Sequence, residues 1–159
     1  FKDNEHLITY GDDGESACRP EVRDIAGFHA KKAYFDFIGM QITSARKEAD
    51  PPNVVDSAEI DFLKRKSVYH DELQCRVGAL DKESIWKMGH MSSSPEDPED
   101  LAIAAIQSML TEAFLHGEDF YEYLRTGLQQ CAKRNHIWTD VLERTYQDKV
   151  DMWWEKYGC

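Results

Sequence analysis

Asp12 and Asp13 are neighbouring carboxylates flanked by Gly11 and Gly14, in the run Leu7-Ile8-Thr9-Tyr10-Gly11-Asp12-Asp13-Gly14-Glu15-Ser16-Ala17-Cys18. Two rigidly held acids suit a hard cation such as magnesium, which takes oxygen ligands and seldom needs more than one or two from protein. The surrounding residues supply the rigidity. Leu7 to Tyr10 favour an extended chain, Ser16 to Cys18 are small, and the Gly and Asp residues between them are turn formers, so the stretch predicts a tight β-hairpin. Either Gly11-Asp12 or Asp13-Gly14 can provide the positive φ that the bend needs, and both choices leave the two acids at the tip.

The elements that must position this tip belong to a chain of 159 residues, enough for one domain and one sizeable core. With 42% hydrophobic and 31% charged residues, the composition is that of a globular chain, neither disordered nor membrane-like. No apolar run is long enough to predict a transmembrane helix. The chain opens at Phe1 without a charged-then-apolar leader, and reads as a piece cut from something longer. Cys18, Cys75, Cys131 and Cys159 are widely spaced and form no CxxC pair, which points to free thiols in a reducing compartment. The six histidines show no paired ligand spacing that would suggest zinc. A formal charge of −11 argues against a general nucleic-acid coat. Lys31-Lys32, Arg46-Lys47 and Lys64-Arg65-Lys66 nevertheless give an acidic body local positive patches.

Along the chain, Asp24 is the expected N-cap of a helix carrying Ile25, Phe28, Tyr34, Phe35 and Ile38, packed on a sheet and stopped by Gly39. Met40-Gln41-Ile42-Thr43 alternates as a short strand would, and Pro51-Pro52-Asn53 breaks into a loop. A second hairpin is predicted from Ile60–Tyr69, a turn near His70-Asp71-Glu72, and a return through Leu73 to Leu80. Asp81 caps a short helix with Ile85, Trp86 and Met88. The stretch Ser92–Pro98 reads as a linker at a subdomain boundary. Three helices follow: Leu101 to Phe114 ending at Gly117, a shorter one from Phe120 to Cys131 interrupted by Gly127, and a last one capped by Thr139 and reaching Trp153 and Trp154.

The tetrad Tyr10-Gly11-Asp12-Asp13 resembles motif C of viral RNA-dependent RNA polymerases, and the similarity continues in collinear order. Gly39 to Lys47 resembles motif D of picorna-like polymerases, a strand ending in a Thr-x-Ala-x-Lys run, with Arg46 where an Asp is frequent. Phe62-Leu63-Lys64-Arg65 resembles motif E, with Glu59 three residues ahead fitting as well. Leu80 to Met88 resembles the first thumb helix and Glu112 to Gly117 a later one. The resemblance implies an α+β fold: the C-terminal part of a right-hand polymerase, with a palm β-hairpin and packed helix (1–80, motifs C, D and E) followed by a helical thumb (81–159).

It also implies an activity, RNA-directed nucleotidyl transfer in viral RNA replication by a two-metal mechanism. By the resemblance, Asp12 and Asp13 bind Mg2+ or Mn2+, Tyr10 and Gly11 shape the turn, and Lys47 protonates the departing pyrophosphate as a general acid. Phe62, Leu63, Lys64 and Arg65 hold the primer, the two cations on phosphates. The implied partners are an RNA template-primer, nucleoside triphosphates and the remainder of the polymerase (fingers and motifs A and B), with a protein primer as a further candidate. The implied setting is the host cytoplasm at viral replication complexes. Motifs A and B are not found in these residues, so the segment is expected to be inactive alone. Two rival readings are a reverse-transcriptase-like polymerase, which also carries a Tyr-x-Asp-Asp turn, and a non-catalytic helical interaction module.

Overall fold

A computed structural model describes residues 3–90 and 97–158. It is a mixed α+β chain with small antiparallel sheets, and none of its described helices is long and apolar enough to cross a membrane. Chain contacts divide it into two compact units, residues 1–63 and 64–159. The palm and thumb expected from the sequence divide instead at 80/81. Leu73, Ala79 and Leu80 belong to the buried core of the second unit, which is why compactness groups this hairpin with the helices. Most of the expected linker, Ser92–Glu96, lies outside the described residues.

In the first unit, β1 (Glu5–Tyr10) and β2 (Asp13–Cys18) form the predicted hairpin, pairing from Glu5↔Cys18 to Tyr10↔Asp13. Gly11 and Asp12 are therefore the two loop residues. Of these only Gly11 has positive φ (61°), the pattern of a type II′ turn, whose twist matches that of the strands.

The helix after the hairpin departs from expectation. Asp24 caps nothing: it lies in the first turn of α1 (Arg23–Ala26), and the chain breaks at Gly27 before α2 (Phe28–Phe37). Asn53 causes the break. Its backbone carbonyl accepts from Phe28 N–H (2.8 Å) and its Oδ1 from His29 N–H (3.0 Å), while its Nδ2 donates to the Arg23 carbonyl (3.0 Å). One side chain thus satisfies the end of α1 and the start of α2. A Cβ on Gly27 would lie 2.4 Å from Asn53 Oδ1, so the approach requires glycine. Gly39 stops α2 as predicted, at φ 79°, with Gly39 N–H on Asp36 O and Met40 N–H on Phe35 O, the paired bonds of a Schellman motif.

Met40–Thr43 is not the expected strand. Its first amide is committed to the helix end, and among the described residues the segment joins no ladder. Nor is the aromatic stripe of α2 a core: the helix has no buried residue, and Tyr34 and Phe37 are 61% and 87% exposed. Among the described residues of this unit only Glu5, Ala26 and Gly27 are buried.

The second unit holds the core. β4 (Arg65–His70) pairs with β5 (Cys75–Leu80) around the four-residue loop 71–74, and α3 (Lys82–Met88), α4 (Pro98–Phe114), α5 (Glu118–Arg134) and α6 (Tyr146–Tyr157) follow. The long strand expected over 60–69 is broken. β3 (Asp61–Phe62) ends where Leu63 and Lys64 take positive φ. Asp81 caps α3 as predicted, its Oδ1 accepting from Ser84 N–H at 2.8 Å. That bond and a second one from Ser84 Oγ hold the Asp81 carboxyl below its ordinary pKa.

Two helix expectations fail on local grounds. Gly127 does not interrupt α5, which runs unbroken for 17 residues. Its Cβ position faces open space, and an isolated glycine there costs only about 1 kcal/mol. Thr139 caps a single 3₁₀ turn (Asp140–Leu142), and α6 begins later at Tyr146, behind its N-cap Thr145, which forms a capping box with Asp148. Leu73, Ile85, Leu110, Tyr121 and Leu124 are fully buried in the cluster that these elements share. Burial pushes the Tyr121 phenol up to about 12, and its hydroxyl donates to the Arg144 carbonyl at 3.0 Å.

Candidate functional site

Cross-strand pairs of β1 and β2 share a face, so Glu5, Leu7 and Thr9 lie with Cys18, Ser16 and Gly14, and Tyr10 lies with Asp13 on the other. The first face is the one held by α2: Lys31 Nζ bonds both the Glu5 carboxylate and Ser16 Oγ. The opposite face and the tip are open. Asp12 and Asp13 are exposed, and among the described residues neither carboxylate has a hydrogen-bond or ion-pair partner.

Two adjacent, unengaged carboxylates on a stiff turn fit a hard divalent cation, with both acids free to offer oxygen and the rest of the shell open to water and other donors. They do not make a closed site. Among the described residues no group of three or more His, Cys, Asp or Glu side chains is placed to hold a metal.

Lys47 also belongs to the first unit. It adopts φ 54°, held by its own N–H on the Ser44 carbonyl (2.9 Å) and by Glu48 N–H on Ser44 Oγ (3.3 Å). Its neighbour Arg46 is engaged with Glu59, donating to its carboxylate at 3.1 Å and to its carbonyl at 3.3 Å. The unusual arginine of this run is therefore balanced locally. Lys47 remains an exposed ammonium without a hydrogen-bond or ion-pair partner among the described residues.

In the run Phe62-Leu63-Lys64-Arg65 the two cations part company. Lys64 is exposed at its turn, its carbonyl accepting from Asp81 N–H at 2.8 Å. Arg65, expected on phosphate, is engaged within the second unit. It grips Glu112 through two parallel bonds of 2.8 and 2.7 Å and donates to the Gly78 carbonyl at 2.9 Å. The bond to Glu112 raises the Arg65 pKa further.

The run Glu112–Gly117 supplies several such anchors. Glu112 holds Arg65, His116 Nε2–H donates to the Leu80 carbonyl at 2.7 Å, and Phe114 packs against His70 and Tyr146. Its resemblance to a thumb helix gave the sequence signal for this run. Which partner each side chain takes is a tertiary fact.

The family profile described as viral RNA-dependent RNA polymerase matches residues 1–132. The chain belongs to this family. Its relatives include the replicase polyprotein of Cricket paralysis virus, 27% identical over 134 residues, 84% of this chain and 8% of the relative. The genome polyprotein of Human parechovirus 5 is 32% identical over 138 residues, covering 84% of this chain and 6% of the relative. The replicase polyprotein of Drosophila C virus is 30% identical over 137 residues, covering 80% and 7%. The chain thus spans less than a tenth of the length of these relatives. Picorna-like viral replicases are the group anticipated from motifs C, D and E, and this membership favours the RNA-directed RNA polymerase over the reverse-transcriptase reading.

Proposed function

We propose that this chain is a segment of a viral RNA-directed RNA polymerase, contributing the palm edge (1–80) and the thumb (81–159). The carrying observation is the pair Asp12 and Asp13, exposed and unengaged on a glycine-initiated turn inside the family match. These two carboxylates hold the divalent ions, Mg2+ or Mn2+, together with a carboxylate from elsewhere in the polymerase. Bound there, such ions raise the nucleophilicity of a 3′ hydroxyl and stabilise the leaving pyrophosphate.

The remaining steps fall to the chain's own side chains. Tyr10 and Gly11 set the bend, Gly11 by taking the φ that a residue with a Cβ resists. Lys47, whose ammonium has no competing partner among the described residues, protonates the pyrophosphate as it departs. Phe62 and Leu63 flank the primer end, and Lys64 contacts a backbone phosphate. Arg65 is spent on Glu112 and acts by anchoring β4 to α4 next to Lys64.

The substrates are an RNA template-primer and nucleoside triphosphates, a protein primer is a candidate partner, and the setting is the host cytoplasm at viral replication complexes. Among the described residues no third carboxylate joins Asp12 and Asp13 at a metal site, and motifs A and B are not found in this segment, so its activity depends on the rest of the enzyme.

Asp12→Ala, made in the polymerase that contains this segment, tests the reading. Primer extension should be abolished while the circular-dichroism spectrum and melting temperature stay unchanged. An alanine variant that extends primers at the ordinary rate removes the assignment.

A further inference from the structure

The ion pair at the base of the hairpin, a buried Glu5 and a half-buried Lys31, has no part in the chemistry proposed above. Glu5 is 8% exposed, its Oε1 meets Lys31 Nζ, and its Oε2 is buried without a hydrogen-bond partner. Lys31 stands on α2 and reaches β1 through Glu5 and β2 through Ser16. Among the described residues these are the only side-chain hydrogen bonds or ion pairs that leave the hairpin. Leu7, Ile8 and Tyr10 are 62%, 59% and 69% exposed and add little anchorage. A single ammonium therefore fixes both strands to the helix, on the face opposite Asp13.

We propose that Lys31 is a positioning residue for Asp12 and Asp13: by bonding Glu5 and Ser16 it sets the orientation of the hairpin on α2, and through it the place of the two carboxylates. This rests on the polymerase reading of the tip. A stiff two-stranded ribbon transmits a tilt at its base to its end, and an error of about 1 Å in a reacting group can cost about a hundredfold in rate.

The experiment is steady-state and single-turnover nucleotide incorporation by the polymerase that contains this segment, with Mg2+ titrated. Lys31→Met should lower turnover at least tenfold and raise the Mg2+ concentration for half-maximal rate severalfold, with KM for nucleotide little changed. Because Lys31→Met leaves the Glu5 charge buried and unpaired, a stability loss is expected and is separated by the double variant Glu5→Gln/Lys31→Met. That variant should regain the melting temperature yet stay slow and demanding of Mg2+.

Ser16→Ala frees β2 while keeping the ion pair, and should lower turnover about two- to fivefold with a raised Mg2+ requirement. Lys31→Arg should restore most of the rate. Recovery of rate together with melting temperature in the double variant, or a Ser16→Ala enzyme with wild-type rate and Mg2+ dependence, overturns the proposal. Asp12→Ala run alongside keeps the two claims apart. Activity in that control sinks the reading of the tip, whereas a dead control beside unaffected Ser16→Ala and double variants sinks only the role of Lys31.

Discussion

Lys47 gains its candidacy from what its neighbours do. Arg46 is spent on Glu59, Ser44 holds the backbone in a left-handed conformation that a residue with a Cβ adopts at a cost of roughly 1 kcal/mol, and the lysine head is left exposed. If it donates the proton to pyrophosphate, Lys47→Leu should slow single-turnover incorporation by about a hundredfold or more, in the range of general-acid effects, with the Mg2+ dependence unchanged. An unchanged single-turnover rate removes it from the mechanism. Asp81 illustrates the opposite kind of residue, one whose role is structural and local. Its folded pKa is depressed by Ser84, so its contribution to stability is present above about pH 4, the unfolded value, and is lost as the pH falls through the lower folded value. Asp81→Ala should cost about 1 kcal/mol in urea unfolding at pH 7 and progressively less below pH 4. A penalty independent of pH would show that the carboxylate is not what caps α3. Asp81 was legible in the sequence because a cap acts three residues away. The partners of Arg65 and Lys31 were not, since Glu112 lies 47 positions from the one and Glu5 lies 26 from the other.

The same contrast holds for whole elements. Hairpin β1–β2, the stop of α2 at Gly39 and the span of α3 follow from turn residues and caps read within a few positions. By contrast, α4 starts at Pro98 behind an Asp97 cap rather than at Leu101 and ends at Phe114 with Leu115 as its C-cap, Gly117 being the N-cap of α5 instead of its stop. The strand expected at Met40–Thr43 follows from alternation alone, and alternation cannot say whether a neighbour exists to complete the ladder. Unbroken α5 shows packing overriding a propensity penalty: Tyr121, Leu124 and Ala132 bury one face while Gly127 sits on the other. Attachment of β4 and β5 to α4 depends on Arg65, Gly78 and Glu112 acting together. Arg65 is 40% exposed, so the pair is weaker than a buried one. Glu112→Gln should destabilise the chain by about 1–2 kcal/mol in denaturant melts, and a double-mutant cycle with Arg65→Gln should show coupling. Additive penalties in that cycle would mean the clamp contributes nothing beyond its separate side chains.

At the scale of the whole molecule, burial is unevenly distributed, and this leads to a last prediction. The second unit encloses Leu73, Ile85, Leu110, Tyr121 and Leu124 in one cluster, whereas the described residues of the first bury only Glu5, Ala26 and Gly27. Ile8, Tyr10, Ile25, Tyr34 and Phe37 stand exposed there and so give this unit little buried apolar contact. Elements with few buried contacts open at low free energy, and their amides exchange early. In hydrogen exchange of the 159-residue chain, amides of α4, α5 and the β4–β5 ladder should be protected longest, and those of β1, β2 and α2 should exchange orders of magnitude sooner. Within the polymerase that contains this segment, the hairpin and α2 should become protected, because covering their apolar residues removes the low-energy opening. Equal protection of the two units in the 159-residue chain would show that the first is stable through contacts other than apolar burial. A hairpin that stays unprotected in the complete enzyme would remove the expectation that the rest of the palm covers it.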